Sequence, residues 1–350
     1  MDVLFVLSGG KHRASTRFRV FNLLSFLDRE NINYKATSAK KYSNRLPGPD
    51  EFGYALFMCQ LLARAPQYDI IFLQRVPLPS SYLVALKKLC KHIIYDFDDA
   101  VYTAPQWEDR ENQWKSLLDQ TLQHSSLVIA GSPTLADYAR QYCNNVVCQP
   151  TPIPSEKYQT RKKTPELDSS DTVTLGWIGN PQNLHYLTSI EAPLEQILDA
   201  NEGVKFHVIT AGDLPTTPLQ DRDDVIYKTW TLKDELDLLE DVDIGLRPLF
   251  DDEWTRGKGG YTSVVQMMAL GIPVVVTPVG MLTDIVEHGH AGYHANSPEE
   301  WIHYVSELIE DEEKRASFGQ HAYEAVEEQQ FWTEQRAKEW VNVFVDLCSE

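Results

Sequence analysis

Residues 256–293 read RGKGGYTSVVQMMALGIPVVVTPVGMLTDIVEHGHAGY, and the order of the segments in this stretch indicates the fold. A glycine-rich turn comes first. It leads into a helical pattern that Thr262 or Ser263 can start and that ends before Gly271. The apolar strand candidate IPVVVT follows at once. A helix that leads directly into a buried strand is typical of a parallel α/β sheet.

The glycine-rich turn also predicts an anion site. The N–H groups and the dipole at a helix start attract anions, and glycines let a phosphate approach the backbone closely. Arg256 and Lys258 add positive charge at this point. An ordinary loop is the alternative for a GxGG pattern. Because the turn follows the strand candidate VDIGLRP, and open parallel sheets bind ligands beyond the carboxyl ends of their strands, we predict that a diphosphate binds here.

Outward from this stretch, strand and helix patterns alternate along the chain, which is typical of a doubly wound parallel sheet. The strand candidates are VLFVL, YKAT, DIIFLQ, HIIYDF, SLVIAG and NVVCQP, then TLGWIG, VKFHVIT, VIYKTW, VDIGLRP, IPVVVT and AGYHA. Helices are expected at about residues 17–27, 54–63, 82–89, 191–199, 233–239 and 298–309. The fold class is therefore α/β, with two successive Rossmann-like domains.

The domain boundaries follow from the composition of the connections. The stretch RKKTPELDSSD is charged and nearly free of apolar residues, as an exposed linker should be. We predict a first domain over residues 1–158, a linker over 159–171 and a second domain over 172–330. The aromatic-rich end, residues 331–350, is predicted to be a helix that packs back on the first domain.

Composition and charge limit the class of protein. In 350 residues, 43% hydrophobic and 24% charged, no window approaches the roughly 18 apolar residues of a membrane helix, and the first apolar run is too short for a signal peptide. A cytoplasmic protein is expected. The five cysteines are odd in number and lack CxxC spacing, so they indicate neither a disulfide framework nor a zinc site. The net charge of -19 argues against nucleic acid as a partner.

The positive charge is concentrated at the amino terminus. The first 45 residues carry nine Lys or Arg against three acidic residues. A basic end on an acidic protein suits an anionic substrate, or peripheral contact with the anionic inner face of a membrane. A solvated basic surface without a partner is the alternative.

The sequence resembles the retaining glycosyltransferases of family 4, which have the GT-B fold. QMMALGIPVVVTPVG and IVEHGHAGY carry the resemblance most specifically; VLFVLSGG, ASTRFRV, DFDDAVY, LVIAGSPTLADYA, TLGWIG and VDIGLRPL add to it. The resemblance implies two domains whose sheets face a cleft, and transfer of a sugar from a nucleotide sugar to a hydroxyl acceptor with retention. It also implies bacterial polysaccharide or glycoconjugate synthesis, with a glycan or lipid-linked glycan as acceptor, and no metal or other cofactor.

The sequence departs from the family at two places. Relatives carry two glutamates where this chain has Lys258 and Gln266; a glutamine can still hydrogen-bond a ribose, and a lysine can grip a phosphate. Relatives also carry an Arg and a Lys after the first strand of the second domain, where this chain has Asn180 and Gln182. We infer that Arg256 and Lys258 replace those cations. The predicted donor or phosphate site comprises Gly179, Asn180, Arg256, Gly259, Gly260, Tyr261, Thr262 and Gln266.

The octet YDFDDAVY, residues 95–102, raises a second question, because an Asp-any-Asp triplet holds a metal ion in another class of sugar-transferring enzymes. That class has a single mixed sheet, which the duplicated pattern here contradicts. We predict that Asp98 and Asp99 bind sugar hydroxyls and, with Lys258, are the catalytic residues, whereas Asp96 is structural. Gly9, Gly10, Arg13 and Arg17 are predicted to bind the acceptor or a phosphate, and Arg19 is grouped with them.

Two other functions remain open from the sequence. One is a related GT-B epimerase or phosphorylase. The other is a catalytically silent protein that binds a nucleotide sugar or scaffolds a partner transferase, which the loss of both motif glutamates favours.

Overall fold

The computed structural model describes residues 1–39, 51–105, 113–161, 172–212, 219–259 and 261–349. The chain folds into two units, each with its own sheet. The first unit comprises Met1–Pro152, Asp252–Gly260 and Thr333–Glu350. The second comprises Ile153–Asp251 and Tyr261–Trp332.

The first unit contains six parallel strands in the order β2-β1-β3-β4-β5-β6. Their bounds are β1 Asp2–Leu7, β2 Asn33–Ser38, β3 Ile70–Gln74, β4 His92–Phe97, β5 Leu127–Ala130 and β6 Val146–Cys148. The central strands are buried on both faces, as their continuous apolar runs predict.

The second unit repeats the design with the parallel order β12-β11-β10-β7-β8-β9. Its strands are β7 Thr174–Ile178, β8 Lys205–Thr210, β9 Val225–Thr229, β10 Ile244–Arg247, β11 Val274–Val276 and β12 Gly292–His294. All twelve predicted strands are therefore present, and the predicted α/β class with two Rossmann-like sheets is confirmed.

Helices connect the strands. The α-helices are α1 Ala14–Thr16, α2 Leu24–Arg29, α3 Glu51–Arg64, α4 Ser80–Leu89, α5 Gln113–His124, α6 Pro133–Arg140, α7 Ser155–Tyr158, α8 Glu191–Ala200, α9 Glu235–Glu240, α10 Glu253–Arg256, α11 Thr262–Ala269, α12 Leu282–Ile285, α13 Pro298–Glu310, α14 Glu312–Glu328 and α15 Thr333–Ser349. A π-helix spans Arg17–Phe21, and 3₁₀ helices span Ala65–Gln67 and Pro181–Ile190. Within the described ranges, no helix combines the length and the apolarity that crossing a bilayer requires.

The last helix, α15, completes the core of the first unit. Its apolar side chains recur every three or four residues, so they lie on one face of the helix. Trp340 and Phe344 on that face pack against Phe72 and Phe5 of the first sheet, with 5.2 Å between the ring centroids of Phe72 and Trp340. The opposite face of this sheet packs on α3 to α6.

The structure corrects the predicted helix over residues 17–27. The chain there forms a π-helix and then α2, and the amide of Asn22 donates to the carbonyl of Arg17 at 2.9 Å, a bond that spans five residues. A π-helix adds a residue to a helical turn, so the following side chains rotate relative to an α-helix. Arg17 and Arg19, both within the π-helix, are buried.

The unit boundaries also differ from the predicted ones. The second unit begins at Ile153 and includes α7, whereas the predicted first domain continues to residue 158. Of the predicted linker, residues 162–171 lie outside the described ranges. The segment Asp252–Gly260 belongs to the first unit although the sequence around it belongs to the second. Helix α15 is counted with the first unit from Thr333.

Candidate functional site

A hydrogen-bonded network lies at the carboxyl edge of the first sheet, where β1, β3 and β4 end. Gln74, the last residue of β3, is fully buried. Its Oε1 accepts a hydrogen bond from the Ser8 hydroxyl at 2.9 Å, and its Nε2 donates to Ser15 Oγ at 2.9 Å. The Ser15 hydroxyl in turn donates to Asp98 Oδ1 at 2.8 Å. Through Ser15, the buried glutamine therefore connects the ends of β1 and β3 to Asp98, which follows β4.

Arg75 lies between the two carboxylates that the sequence singles out. Its Nη1 donates to Asp98 Oδ1 at 3.3 Å and to Asp99 Oδ2 at 2.5 Å. Arg75 has φ of +52°, a left-handed conformation that non-glycine residues rarely adopt. Such strain persists only where surrounding contacts hold the residue, and it clusters at functional sites.

The electrostatics of Asp98 follow from this arrangement. Burial acts to raise its pKa, but the charges of Arg75 and Arg19 and the Ser15 hydrogen bond outweigh burial, so the pKa of Asp98 lies below its ordinary value. Asp98 is therefore ionised at neutral pH. Asp99 is the more accessible of the two, with 24% of its side chain exposed against 5% for Asp98.

Asp96 and Arg19 form a separate, buried ion pair. Arg19 Nε lies 3.0 Å from each carboxylate oxygen of Asp96, and Nη2 lies 2.5 Å from Oδ1. Arg19 Nη1 donates to the Gln149 carbonyl at 2.9 Å and to Thr151 Oγ1 at 3.1 Å. Arg19 therefore joins β4 to the chain after β6. The grouping of Arg19 with the anion-binding arginines is wrong, because its guanidinium is already committed to Asp96.

The segment 252–260 packs on the same edge of the first sheet. The Gly259 amide donates to the Asp98 carbonyl at 2.8 Å, and the Thr151 amide lies 3.4 Å from the Gly259 carbonyl. Ser132 Oγ lies 3.4 Å from the Gly257 carbonyl. A Cβ on Gly259 would lie 2.2 Å from the backbone of Gly131, so only glycine fits there.

This segment carries two of the predicted cations, Lys258 and Arg256. Lys258 is buried within the first unit, with its Nζ 5.9 Å from the ring centroid of Trp254. Trp254 packs against the core of that unit. Arg256, at the end of α10, is exposed. Gly260 lies outside the described residues.

The predicted acceptor residues lie near the end of β1. Gly9 is buried against Arg13, and Gly10 is exposed. Arg13 Nη1 donates to the Ser8 carbonyl at 3.1 Å. Desolvation and the positive charge of Arg75 lower the pKa of Arg13, which shows that two guanidinium groups lie near each other. Arg17 is buried, with its guanidinium carbon 4.5 Å from the Phe18 ring centroid.

In the second unit, the predicted donor residues are spread over two elements. The Gly179 amide, just after β7, donates to the Ile209 carbonyl at 3.1 Å, and Asn180 is exposed before the 3₁₀ helix. Helix α11 begins at Thr262, but its N-cap residue is Tyr261, which makes no side-chain capping bond. The Tyr261 hydroxyl instead donates to the Val279 carbonyl at 3.2 Å.

Helix α11 ends as predicted and holds Gln266 on a buried face. Gly271 has φ of +76°, and the Ile272 amide donates to the Met267 carbonyl at 3.0 Å, which is the bond of a Schellman termination. Gln266 Nε2 donates to the Tyr158 hydroxyl at 2.7 Å. One amide donor of Gln266 is therefore used inside the unit.

Sequence reasoning missed a buried cation in the second unit. Arg247 is the last residue of β10 and is only 5% exposed. Its Nη1 lies 3.4 Å from the Ile178 carbonyl, and its Nε has no hydrogen-bond partner among the described residues. Burial lowers the pKa of Arg247. The signal was visible in VDIGLRP, where an arginine ends an apolar strand pattern.

Comparison with known proteins identifies the architecture. Sucrose-phosphate synthase from Thermosynechococcus elongatus superposes with a TM-score of 0.74 at 12% identity, over 100% of both chains. HepE from Anabaena, in complex with UDP and glucose, gives 0.69 at 17% identity, over 98% of this chain and 99% of that one. The chain has the GT-B fold. TarM from S. aureus, in a complex with fondaparinux, alpha-GlcNAc-glycerol and UDP, gives 0.61 at 15% identity, over 83% of this chain and 59% of that one.

A family model matches part of the chain. Residues 171–311 match the family described as "Glycosyl transferases group 1". The matched range includes Gly179, Asn180, Arg247 and Gln266. No curated protein matches the sequence. In the described ranges, no three His, Cys, Asp or Glu side chains come together as a metal-binding group.

Proposed function

We propose that the protein transfers a sugar from a nucleoside diphosphate sugar to a hydroxyl group of a glycan or lipid-linked glycan. The match of residues 171–311 to the glycosyl transferases group 1 family carries this proposal. The second unit then binds the donor, beyond the carboxyl ends of β7 and β10, where ligands bind in open parallel sheets. The charged edge of the first unit binds the acceptor.

The proposed mechanism retains the anomeric configuration, as the resemblance to family 4 implies. The bond from the sugar C1 to the diphosphate breaks, and its electron pair leaves with the diphosphate. The acceptor oxygen bonds to C1 on the same face, and its proton passes to the departing diphosphate. Such a reaction needs charge stabilisation and positioning rather than a protein nucleophile or a metal ion.

Asp99 and Asp98 take different parts in this proposal. Asp99 keeps a partly exposed carboxylate that accepts hydrogen bonds from sugar hydroxyls. Asp98 is buried and tied to Ser15 and Arg75, so it holds Arg75 in place while remaining ionised. Lys258 neutralises a phosphate. The strained backbone of Arg75 supports a site at this edge.

The comparisons suggest which donor and acceptor to test first. The HepE and TarM structures contain UDP, so UDP sugars are the first donors. TarM binds glycan-like molecules in its crystal, which supports a glycan as acceptor. Synthesis of a bacterial polysaccharide or glycoconjugate on the cytoplasmic face of the inner membrane fits the basic amino-terminal region.

A second candidate is a protein that binds a nucleotide sugar without transferring it. Lys258 and Gln266 stand where relatives carry glutamates, and Gln266 already donates to Tyr158. This candidate predicts nucleotide binding without turnover. An epimerase would instead convert a nucleotide sugar when no acceptor is present.

The deciding experiment is a thermal-shift screen of the full chain against UDP, GDP, ADP and their sugars, followed by a transfer assay with the best donor. The proposal predicts stabilisation by one nucleotide, and transfer or slow donor hydrolysis that a chelator does not affect. If none of these nucleotides or nucleotide sugars stabilised the protein, donor binding would be refuted. Binding without hydrolysis or transfer would favour the second candidate.

A further inference from the structure

Among the residues that the structure describes, Arg247 is a buried cation without a carboxylate partner. It ends β10, which lies between β11 and β7 in the second sheet. Its Nε has no partner, and its Nη1 makes one long contact, 3.4 Å, to the carbonyl of Ile178. Within the described parts of the chain, no carboxylate pairs with it. A charge removed from water without compensation is strongly unfavourable, so this position is expected to receive an anion.

Two more exposed arginines of the second unit show the contrast. Arg222 pairs with Asp199 and Asp224, at 2.7 Å each, and Arg161 pairs with Asp237. Both are more exposed than Arg247 and still have carboxylate partners. Of these three arginines, Arg247 is the most buried, and it is the one that has no carboxylate partner among the described residues. That pattern is expected of a ligand-binding residue and not of a structural one.

The surroundings of Arg247 suit a phosphate. Tyr186 and Tyr261 lie near the guanidinium, because a negative charge on either phenol would raise the pKa of Arg247. Tyr261 is also the N-cap residue of α11, a helix of eight residues. The positive end of that helix dipole therefore lies on the same side as Arg247. A guanidinium and a helix start therefore offer donors to an anion, and the neighbouring phenols add no carboxylate charge that would compete with it.

Arg247 also lies close to the segment after β7, which carries no cation at Asn180 or Gln182. Arg247 contacts the carbonyl of Ile178, two residues before Asn180. Family 4 relatives carry phosphate-binding cations after this strand, and this chain has Asn180 and Gln182 instead. Strand β10 pairs with β7, so a cation at the end of β10 can bind a phosphate that lies beyond the end of β7.

We propose that Arg247 binds the diphosphate of the donor and neutralises it as it leaves, in place of the cations missing after β7. This inference rests on the proposed function. A guanidinium remains protonated even where burial opposes its charge, and its planar donors match phosphate oxygens in pairs. Arg247 therefore stabilises the negative charge that grows on the diphosphate when the C1 to oxygen bond breaks.

The test is calorimetric titration of the full chain with UDP and with inorganic pyrophosphate, for the wild type, Arg247→Gln and Arg247→Lys. Arg247→Gln should weaken both ligands by roughly tenfold or more, because a hydrogen bond to a charged group is lost. Arg247→Lys should recover part of the affinity, since it keeps the charge and loses the paired donors. Arg222→Gln is the matched control and should leave both affinities unchanged.

Thermal unfolding of the ligand-free variants separates binding from structure. A ligand-binding role predicts that Arg247→Gln melts at the same temperature as the wild type or higher, because an uncompensated buried charge is removed. A structural role predicts a lower melting temperature, and that result for both Arg247→Gln and Arg247→Lys would overturn the inference.

The titrations also distinguish this inference from the proposed function. If the wild type binds UDP and Arg247→Gln binds it and pyrophosphate equally well, the role of Arg247 is refuted while donor binding stands. If the wild type binds neither ligand nor any other nucleoside diphosphate, both fail together.

Discussion

The amide of Gly259 donates a 2.8 Å hydrogen bond to the carbonyl of Asp98. This bond joins the glycine-rich segment to the acidic end of β4, which is 161 positions earlier in the chain by numbering. Lys258 directly precedes Gly259, so the same contact fixes the backbone next to this lysine, whose Nζ lies 5.9 Å from the ring centroid of Trp254. The packing requires glycine, since the backbone of Gly131 occupies the space a side chain would need.

Replacement of Gly259 by alanine should therefore displace the segment. The added Cβ would lie 2.2 Å from the carbonyl group of Gly131, and backbone atoms cannot move aside cheaply. We expect a loss of about 1–3 kcal/mol in the free energy of unfolding, measured by urea denaturation. Gly10→Ala is the stability control, because no atom lies within 4 Å of its added Cβ. Equal stability of both variants would contradict the described packing.

The Arg19 and Asp96 pair should behave as a buried unit. Arg19→Met leaves the Asp96 carboxylate buried without its partner, which should reduce the free energy of unfolding by about 3–5 kcal/mol. The double variant Arg19→Met, Asp96→Leu removes both charges and should recover most of that loss. A double-mutant cycle by urea denaturation measures the coupling. Additive single effects would show that the two residues do not interact.

Asp99→Ala should impair sugar transfer. The variant removes a partly exposed carboxylate that the proposal assigns to sugar hydroxyls, so we expect kcat/KM to fall on the order of tenfold to a hundredfold. Asp137→Ala is the matched control, because Asp137 pairs with Arg140 on an exposed face of α6. A chelator should leave wild-type transfer intact. Loss of activity with chelator and recovery with manganese would instead support the metal hypothesis for the octet.

Lys258→Ala should weaken binding of a nucleoside diphosphate. Lys258 is buried at 8% exposure and is the predicted phosphate ligand from the segment 252–260. Loss of a charged donor is expected to reduce UDP affinity by roughly tenfold, measured by calorimetry. Lys228→Ala removes a surface lysine paired with Asp241 and serves as the control. Unchanged affinity in Lys258→Ala would remove this lysine from the donor site.

His207 predicts a pH dependence of stability. Burial, and then the charge of Lys228, lower the pKa of His207 below 6.5, and its Nδ1 has no partner. The unfolded chain therefore takes up a proton as the pH falls through about 6.5, while the folded chain does not, so stability is lost on acidification. His207→Gln should flatten the decline in melting temperature between pH 7 and pH 5.

The control for this experiment lies on the same strand. Thr210→Val replaces a buried hydroxyl that has no partner and does not titrate, so it should keep the wild-type dependence on pH. If His207→Gln and the wild type lost stability in parallel, His207 would not be the titrating group.

The sequence alone predicted the elements whose signal is local. The central strands follow from apolar runs such as IIFLQ and VVV, because parallel strands buried on both faces need continuous apolar residues. The edge strand β2, NYKATS, is largely exposed and was predicted from the alternation of strands and helices instead. The end of α11 follows from Gly271, whose left-handed backbone terminates the helix. The π-helix at Arg17–Phe21 was missed, because nothing in the residue types RFRVF distinguishes a five-residue bond from a four-residue one.

The candidate site was only partly visible in the sequence. Asp98, Asp99 and Lys258 could be named as candidates from motif and resemblance. The partners of Asp98 could not be named, because Ser15 and Arg75 come from other parts of the chain and carry no local signal. Gly259 was predicted as a phosphate-binding glycine, but its bond to the Asp98 carbonyl was not. The sequence places Arg247 at the end of a strand, as the structure does, but its burial and its lack of a carboxylate partner among the described residues come only from the tertiary structure.

The sequence by itself determined the α/β class and the duplicated order of strands, since hydrophobic periodicity records which side chains must leave water. Only the tertiary structure decided which charges meet. It paired Arg19 with Asp96, assigned Asp252–Gly260 to the first unit and left Arg247 unpaired. The physical reason is that apolar burial is repeated along each element, whereas an ion pair depends on the positions of two distant groups in space.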